Sequence, residues 1–351
     1  MNSIQFETKL AELRLGFYRH PPVDIVKEGF RPVSGQTADM TVVEHQGRYH
    51  FFYIERRLAE ATPFFPGNEI YFGHASTPDF FAWQVHDPVM LIRPGTWEEA
   101  HVWAPFVLHY QGRFLMAYTG VNRYLSQNIG LAESRDLFEW RRFDTNPIYP
   151  ARGRTWSFWR EDGIASCRDP HLLVHEGRLW MTYTTNTREG ASCIALASTA
   201  DLEHWEDHGP ILVGPRDGYQ VEEGISRERP FGKGRPQGQL ESSNLLFRNG
   251  RWYLLVQNKF RDTPGINNWI LESERMDRFE LAQRREFWPG AYTVEVVKER
   301  GSQALLACTG PIRFGVVDWS APRPMARFIA TREELAAWQG PVCARQQGVG
   351  P

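Results

Sequence analysis

The segment His45-Gln46-Gly47-Arg48-Tyr49 is the strongest indication of the fold, because versions of it recur along the chain. Each version joins an apolar strand pattern to an aromatic-rich one through a glycine that suits a tight hairpin with positive φ. The further copies are Tyr110-Gln111-Gly112-Arg113-Phe114, His175-Glu176-Gly177-Arg178-Leu179, Arg248-Asn249-Gly250-Arg251-Trp252 and the weaker Glu299-Arg300-Gly301-Ser302-Gln303. Successive glycines are 65, 65, 73 and 51 residues apart, which indicates a repeat architecture.

A second phrase follows the first one in each of the first three units. It reads Gly73-His74-Ala75-Ser76 and then Asp79-Phe80-Phe81-Ala82-Trp83, and it returns over 130–140 and 195–205. A degraded copy occupies 270–281. The phrase predicts a third strand, a turn and a fourth strand whose Trp packs between neighbouring units. Each unit therefore contains about four strands.

Five four-stranded units predict an all-β fold, a five-bladed β-propeller of antiparallel blades with short terminal helices. A pair of β-sandwiches would not repeat the phrase at near-constant spacing, and a β-helix needs a much shorter period. The predicted helices are residues 4–13 and 331–338. We expect an N-terminal extension over 1–36, the propeller over 37–330, and a C-terminal helix and tail over 331–351. The predicted blades are 37–86, 102–143, 167–208, 239–284 and 291–330.

Composition and charge exclude several classes of protein. The 351 residues carry a formal net charge of −2, so bulk charge does not suggest nucleic-acid binding, and no apolar run is long enough for a membrane span. The aromatic content is 13%, which favours strands and supplies flat surfaces on which sugar rings stack. The four Cys are far apart and the N-terminus lacks a signal-peptide pattern, so we expect a cytoplasmic protein with free thiols.

Carboxylates recur at the start of the predicted innermost strands. Asp39 and Asp169 each lie eight residues before a hairpin glycine, and Glu241 lies nine before Gly250. In a propeller these strands surround the axis, so three carboxylates converge in one funnel. Like charges brought together raise one another's pKa, which is costly for a purely structural feature. Such a cluster fits cleavage of a glycosidic bond, where one acid protonates the leaving oxygen and another carboxylate attacks the sugar or activates water.

Each acid also has a structural explanation when it is taken alone. Asp39 could be a turn residue before a strand, Asp169 could form a structural ion pair with Arg168, and Glu241 could be a solvated loop carboxylate. Because all three acids lie near the same place in the repeat, a shared site is favoured over three separate structural roles.

Four short motifs resemble those of five-bladed propeller glycosidases. They are Ala38-Asp39-Met40-Thr41-Val42-Val43, Trp103-Ala104-Pro105-Phe106-Val107, Arg168-Asp169-Pro170-His171-Leu172 and Glu241-Ser242-Ser243-Asn244-Leu245. That group includes the arabinanases and β-xylosidases of glycoside hydrolase family 43 and the invertases and fructanases of family 32. Trp-Ala-Pro is more like family 43, and Arg-Asp-Pro is more like family 32. The resemblance covers about residues 37–310.

The resemblance implies a role for each acid. Asp39 matches the first-blade Asp, which is the general base in the inverting family and the nucleophile in the retaining one. Asp169 matches the third-blade Asp, which orients the sugar, tunes the pKa of the general acid or stabilises the oxocarbenium-like transition state. Glu241 matches the general acid. The sequence departs from the invertase pattern, since Ala38 and Met40 flank Asp39 where that family has Asn-Asp-Pro-Asn.

Five further residues are candidates for binding a sugar. Trp103 begins an innermost strand and is the best stacking candidate. Arg168 is expected to hold a sugar hydroxyl or fix the neighbouring carboxylate. Trp156 and Trp159 lie on a long entering loop, where they would stack on a sugar or pack the loop. His171 points inward as a core or axial residue.

We expect a glycoside hydrolase acting on a small arabinose- or xylose-containing oligosaccharide or glycoside, with Asp39 as base, Glu241 as acid and Asp169 as modulator. A retaining β-fructosidase or fructosyltransferase with Asp39 as nucleophile is the alternative enzyme. A non-catalytic sugar-binding propeller is the alternative outside the enzymes, since fold does not guarantee activity. The partner in each case is a carbohydrate. No cofactor or metal ligand set is predicted, although related propellers hold an axial calcium or sodium ion.

Overall fold

A computed structural model describes residues 24–32, 35–57, 67–163, 165–214, 240–258 and 267–339. Within them the chain forms twenty strands in five four-stranded sheets, and in each sheet the strands follow one another in chain order with antiparallel pairing. The predicted five-bladed propeller is therefore confirmed.

Each blade runs from an innermost strand to a short outermost one. Blade 1 contains β1 Gln36–His45, β2 Arg48–Arg56, β3 Phe72–Thr77 and β4 Gln84–Val89; blade 2 contains β5 His101–Tyr110, β6 Arg113–Val121, β7 Gln127–Ser134 and β8 Arg141–Arg142. Blade 3 contains β9 Cys167–His175, β10 Arg178–Asn186, β11 Ser192–Thr199 and β12 Glu206–Val213. Blade 4 contains β13 Leu240–Arg248, β14 Arg251–Asn258, β15 Asn267–Ser273 and β16 Arg285–Glu286; blade 5 contains β17 Tyr292–Arg300, β18 Gln303–Thr309, β19 Arg313–Asp318 and β20 Arg327–Phe328.

The first repeated phrase is the hairpin between the two inner strands of each blade. Gly47 has φ of 75°, and Gln46 before it has φ of 50°. Two successive positive φ values make the type I′ turn, whose twist matches that of the flanking strands. Gly112, Gly177 and Gly250 also follow a residue with positive φ. The hairpin glycines are therefore required by backbone geometry.

The second phrase is the turn between the third and fourth strands, as predicted. In blade 1 the Thr77 hydroxyl accepts the Phe80 N–H at 2.8 Å, and one Asp79 oxygen accepts the Phe81 N–H at 2.9 Å. Phe80 has φ of 68° and is buried. The indole of Trp83 donates to the Phe80 carbonyl at 2.9 Å and packs between blades 1 and 5. The same bonds recur in blade 2 around Asp136, and the turn bonds recur in blade 3 around Asp201.

Apolar packing closes the ring. Five clusters of buried hydrophobic side chains join blades 1 and 2, 2 and 3, 3 and 4, 4 and 5, and 5 and 1. The innermost strands β1, β5, β9, β13 and β17 contact one another in that order, and β17 returns to β1. Phe30, which precedes blade 1, pairs with Ile312 of blade 5 through two backbone hydrogen bonds of 2.8 Å.

Few residues of the described chain are helical. A five-residue helix, α1 Arg332–Ala336, begins after Thr331, whose side chain accepts the Glu334 N–H at 3.2 Å. No described helix has the length and apolar character needed to cross a membrane. Cys167, Cys193 and Cys308 are buried free thiols. Some predictions lie outside the described residues. They are the helix over 4–13, the part of the N-terminal extension before residue 24 and most of the C-terminal tail, which includes Cys343.

Candidate active site

A bulge near the start of each innermost strand creates the site. The pairing register with the second strand shifts there in all five blades. The residue eight before the hairpin glycine lies at this bulge, and we call it the bulge position: Asp39, Ala104, Asp169, Ser242 and Thr293. Four of these have positive φ, between 44° and 55°, and Asp39 is the exception. A bulge redirects a side chain from its strand, so the repeat aims five residues at one region.

The residue just before each of these forms a second ring, the pre-bulge position: Ala38, Trp103, Arg168, Glu241 and Tyr292. Asp39 and Asp169 therefore share the bulge position, whereas Glu241 occupies the pre-bulge position. The expectation that all three acids occupy equivalent positions is corrected by this one-residue offset. A side chain reverses direction at each residue along a strand, but the bulge at Ser242 interrupts that alternation and leaves Glu241 beside the aspartates.

Hydroxyl groups from blades 4 and 5 hold Asp39. Thr293 Oγ1 donates to Asp39 Oδ1 at 2.5 Å, and Ser242 Oγ donates to the same oxygen at 3.2 Å. The backbone N–H of Ser242 donates to Asp169 Oδ2 at 3.1 Å. Ser242 therefore links the two aspartates, which come from blades 1 and 3.

Arg168 links the second aspartate to the glutamate. Its Nε lies 3.4 Å from Asp169 Oδ2, and its Nη2 lies 3.4 Å from Glu241 Oε2. Nη1 donates to Ser166 Oγ at 2.8 Å and to Gln127 Oε1 at 3.4 Å, which fixes the guanidinium plane. Asp169 and Glu241 are each 6% exposed. The three predicted acids and the predicted Arg168 are thus brought together in one buried network.

Burial controls the ionisation of this network. It raises the pKa of Asp169 to about 7, and the charges of Asp39 and Glu241 add to the rise while Arg168 opposes it. Burial and the charges of Asp39 and Glu241 also raise the pKa of Tyr292 well above its usual value. Asp169 can therefore carry a proton near neutral pH, and Tyr292 stays a neutral phenol beside the carboxylates.

A second charged pair interacts electrostatically with Asp39. Arg56 Nε is 2.6 Å from Glu69 Oε1, and Glu69 is 1% exposed. Burial, opposed by Arg56, raises the pKa of Glu69, and the charge of Asp39 contributes to the rise. Arg56 thus supplies positive charge near the first-blade aspartate.

The aromatic candidates differ in the residues that they contact. Trp103 is buried at the pre-bulge position of blade 2, and its ring stacks on His101 with centroids 5.5 Å apart. Trp159 donates its indole N–H to the Gln127 carbonyl at 2.8 Å. The side chain of the same Gln127 accepts a hydrogen bond from Arg168. Trp156 donates to Asp207 Oδ2 at 2.9 Å. Because Asp207 belongs to β12, the outermost strand of blade 3, Trp156 is not brought to the acid network.

His171 packs among the innermost strands. Its Nδ1 accepts the Leu245 N–H at 3.5 Å, and its ring packs on Phe106 with centroids 4.2 Å apart. It therefore joins innermost strands of three blades, which is the structural alternative considered for it.

Sequence reasoning missed five residues of the site: Arg56, Glu69, Ser242, Tyr292 and Thr293. The last three occupy bulge or pre-bulge positions, so the repeat that located the aspartates could have found them. Arg56 and Glu69 follow no repeated pattern. Among the described residues, the one group of three His, Cys, Asp or Glu side chains spaced to share a metal ion lies elsewhere, in blade 1.

The chain is similar in sequence to known glycoside hydrolases. Residues 30–223 match the N-terminal domain of glycosyl hydrolases family 32. A sucrose-6-phosphate hydrolase of Salmonella typhimurium is 26% identical over 191 residues, which are 51% of this chain and 36% of that protein. The chain thus spans about a third of the length of this curated relative.

Two solved structures share the fold. A thermostable family-43 glycoside hydrolase has a TM-score of 0.60 at 15% identity, over 90% of this chain and 95% of that one. A mutant of the Bombyx mori family-32 β-fructofuranosidase BmSUC1, in complex with sucrose, has a TM-score of 0.64 at 15% identity, over 95% of this chain and 71% of that one. At such identities these likenesses bear on the fold alone.

Proposed function

The chain belongs to glycosyl hydrolases family 32, and from that premise we propose that it is a retaining enzyme that cleaves or transfers the fructosyl unit of β-fructofuranosides. The observation that supports the proposal most is the linkage of three carboxylates from three blades, Asp39 to Asp169 through Ser242, and Asp169 to Glu241 through Arg168. The pentose substrate expected from the sequence is supported by the Trp103-Ala104-Pro105 motif and by likeness of fold to family 43, but not by the family match.

Asp39 is suited to the role of nucleophile. Two hydroxyl donors hold one of its oxygens, so the carboxylate is oriented before substrate arrives. In the proposed first step Asp39 attacks the anomeric carbon while Glu241 gives its proton to the leaving oxygen, and a covalent fructosyl ester forms. In the second step Glu241 takes a proton from water or from an acceptor hydroxyl, and that oxygen displaces Asp39.

Asp169 and Arg168 complete the proposed mechanism. With a pKa of about 7, Asp169 can donate a hydrogen bond to a sugar hydroxyl when protonated, or stabilise developing positive charge when ionised. Arg168 holds Asp169 and Glu241 in a fixed relation and so acts as a positioning residue. Among the aromatic candidates, Trp103 and Trp159 are better placed than Trp156 to approach the sugar.

The substrate class is tested by supplying sucrose, sucrose 6-phosphate, short fructo-oligosaccharides, an aryl arabinofuranoside and an aryl xyloside to the same preparation. We expect release or transfer of fructose. Cleavage of the pentosides alone would contradict the fructoside proposal, and tight sugar binding without cleavage of any substrate would favour the non-catalytic alternative.

The role of Asp39 is tested by Asp39→Asn. We expect kcat to fall by at least about 10³-fold with the circular dichroism spectrum unchanged, because the amide cannot attack the anomeric carbon. Methanol as acceptor reports the stereochemistry, since the methyl fructoside formed is stable and retention gives the β anomer. Near-normal turnover by the variant, or an α product from the wild type, would contradict the mechanism.

A further inference from the structure

Three histidines converge on one face of blade 1, away from the carboxylates. His50 lies on β2, His74 on β3 and His86 on β4. His74 pairs directly with His86, and His50 pairs with Ser76, which lies two residues from His74. Directly opposed residues, and residues two apart, share a face of a sheet, so the register places all three imidazoles together.

The distances match those of a shared ligand set. His50 Nδ1 lies 2.9 Å from His74 Nε2. One ring nitrogen from each histidine can be chosen so that all three lie within 4.8 Å of one another. Tetrahedral zinc with bonds of about 2.0–2.1 Å separates its nitrogen ligands by about 3.3 Å. Small side-chain rotations would bring the three nitrogens to that spacing.

The three rings are largely shielded from solvent. His74 is fully buried, His50 is 4% exposed, and His86 is half-buried. Phe138 from blade 2 covers the rings, with centroids 5.0 Å from His74 and 5.1 Å from His86. Nδ1 of His74 is buried without a hydrogen-bond partner among the described residues, which is uncommon for a polar atom.

The environment also affects the protonation of the three imidazoles. Burial, followed by the neighbouring His86, His45 and Arg48, lowers the pKa of His50 to about 4. Burial and Arg48 lower the pKa of His86 to about 4, and burial also lowers that of His74. Burial therefore opposes protonation, which would compete with a metal ion for the imidazole nitrogens.

We propose that His50, His74 and His86 form a binding site for one transition-metal dication, with zinc as the reference ion. Imidazole ligands favour zinc, copper and nickel over magnesium and calcium. Three protein ligands leave a fourth position, on the half-exposed His86 side, for water. The ion would join the second, third and outermost strands of blade 1 and so stabilise the blade.

Arg48 provides an internal control on charge. Its Nη2 donates to Ser76 Oγ at 2.9 Å, and Ser76 Oγ lies 2.7 Å from His86 Nε2. A fixed positive charge this close repels a dication. Removing it should therefore strengthen binding, whereas removing a ligand should weaken it.

The test is Zn²⁺ binding by the metal-free full chain, measured by competition with a chromophoric chelator. We expect one Zn²⁺ per chain and a rise in Tm when it binds. His86→Gln should weaken binding at least about tenfold and abolish the rise in Tm. Arg48→Gln should strengthen binding several-fold, and His109→Gln, at an exposed histidine of blade 2, should change nothing.

X-ray absorption of the zinc-loaded wild type keeps the proposal falsifiable if a variant does not fold. Three imidazole nitrogens at about 2.0–2.1 Å are expected. No binding by the wild type, a shell of carboxylate oxygens, or binding unchanged by His86→Gln would overturn the proposal. Because these readouts do not depend on sugar turnover, their failure leaves the fructoside proposal unaffected, and the reverse also holds.

Discussion

Asp169 is a residue of the site whose ionisation lowers the stability of the fold. It is buried, it lies beside two other carboxylates, and its pKa is raised to about 7 from the usual 3.8. A raised folded-state pKa stabilises the fold fully below pH 3.8, and that contribution is lost as pH rises through 7. Above neutral pH the ionised carboxylate is therefore a cost to folding that only a functional role would retain.

Asp169→Asn tests this cost. The amide does not titrate, so the stability of the variant relative to the wild type should rise by about 2–3 kcal/mol as pH is raised from 5 to 8. Urea unfolding of both proteins at the two pH values measures the difference, and turnover should fall at both. A stability difference that is the same at pH 5 and pH 8 would show that Asp169 does not titrate in this range.

The bulged innermost strand is the element that builds the site. Its left-handed residue is Ala104, Asp169, Ser242 or Thr293 according to the blade. Positive φ is costly for a side chain with a Cβ, most of all for a β-branched one. Thr293, with φ of 48°, therefore carries strain that its hydrogen bond to Asp39 explains.

A matched pair of substitutions separates strain from the hydrogen bond. Thr293→Ser keeps the hydroxyl and removes the branch, so we expect unfolding free energy to rise by about 0.5–1 kcal/mol with activity retained. Thr293→Val keeps the branch and loses the donor to a charged oxygen, so kcat should fall about 10- to 100-fold. Equal activity of the two variants in a kinetic assay would show that the hydroxyl does not position Asp39.

Closure of the ring is the property of the whole molecule on which the site depends. Asp39 belongs to the first blade and Thr293 to the last, so their hydrogen bond crosses the junction where the two ends of the propeller meet. Phe30 stabilises that junction by pairing with Ile312 and by stacking on Trp83, with centroids 4.1 Å apart.

Phe30→Ala should therefore affect both stability and activity. Loss of a fully buried ring should lower the unfolding free energy by about 3–5 kcal/mol, and the opened junction should lower kcat as well. Phe247→Ala is the control, because Phe247 is 43% exposed and its loss should cost well under 1 kcal/mol. Thermal denaturation and turnover measure both effects. Full activity of Phe30→Ala below its Tm would show that the site does not depend on this junction.

Short sequence patterns were enough to predict the blades, the hairpins and the three acids. Gly47 and its equivalents are needed by a local turn, and Asp39 and Asp169 lie at a fixed count from such glycines, so short-range backbone geometry was enough to find them. Glu241 was found too, although its position in the strand differs by one residue.

The contacts between side chains of different strands and blades were visible only in the tertiary structure. Ser242 and Thr293 reach Asp39 from other blades, Trp156 turns outward to Asp207, and three histidines meet on one face of blade 1. Turns and bulges are set by a few neighbouring residues, and so they leave a pattern in the sequence. Distances between side chains of different blades depend on how all five blades pack around the closed ring. A short segment of sequence therefore cannot predict them.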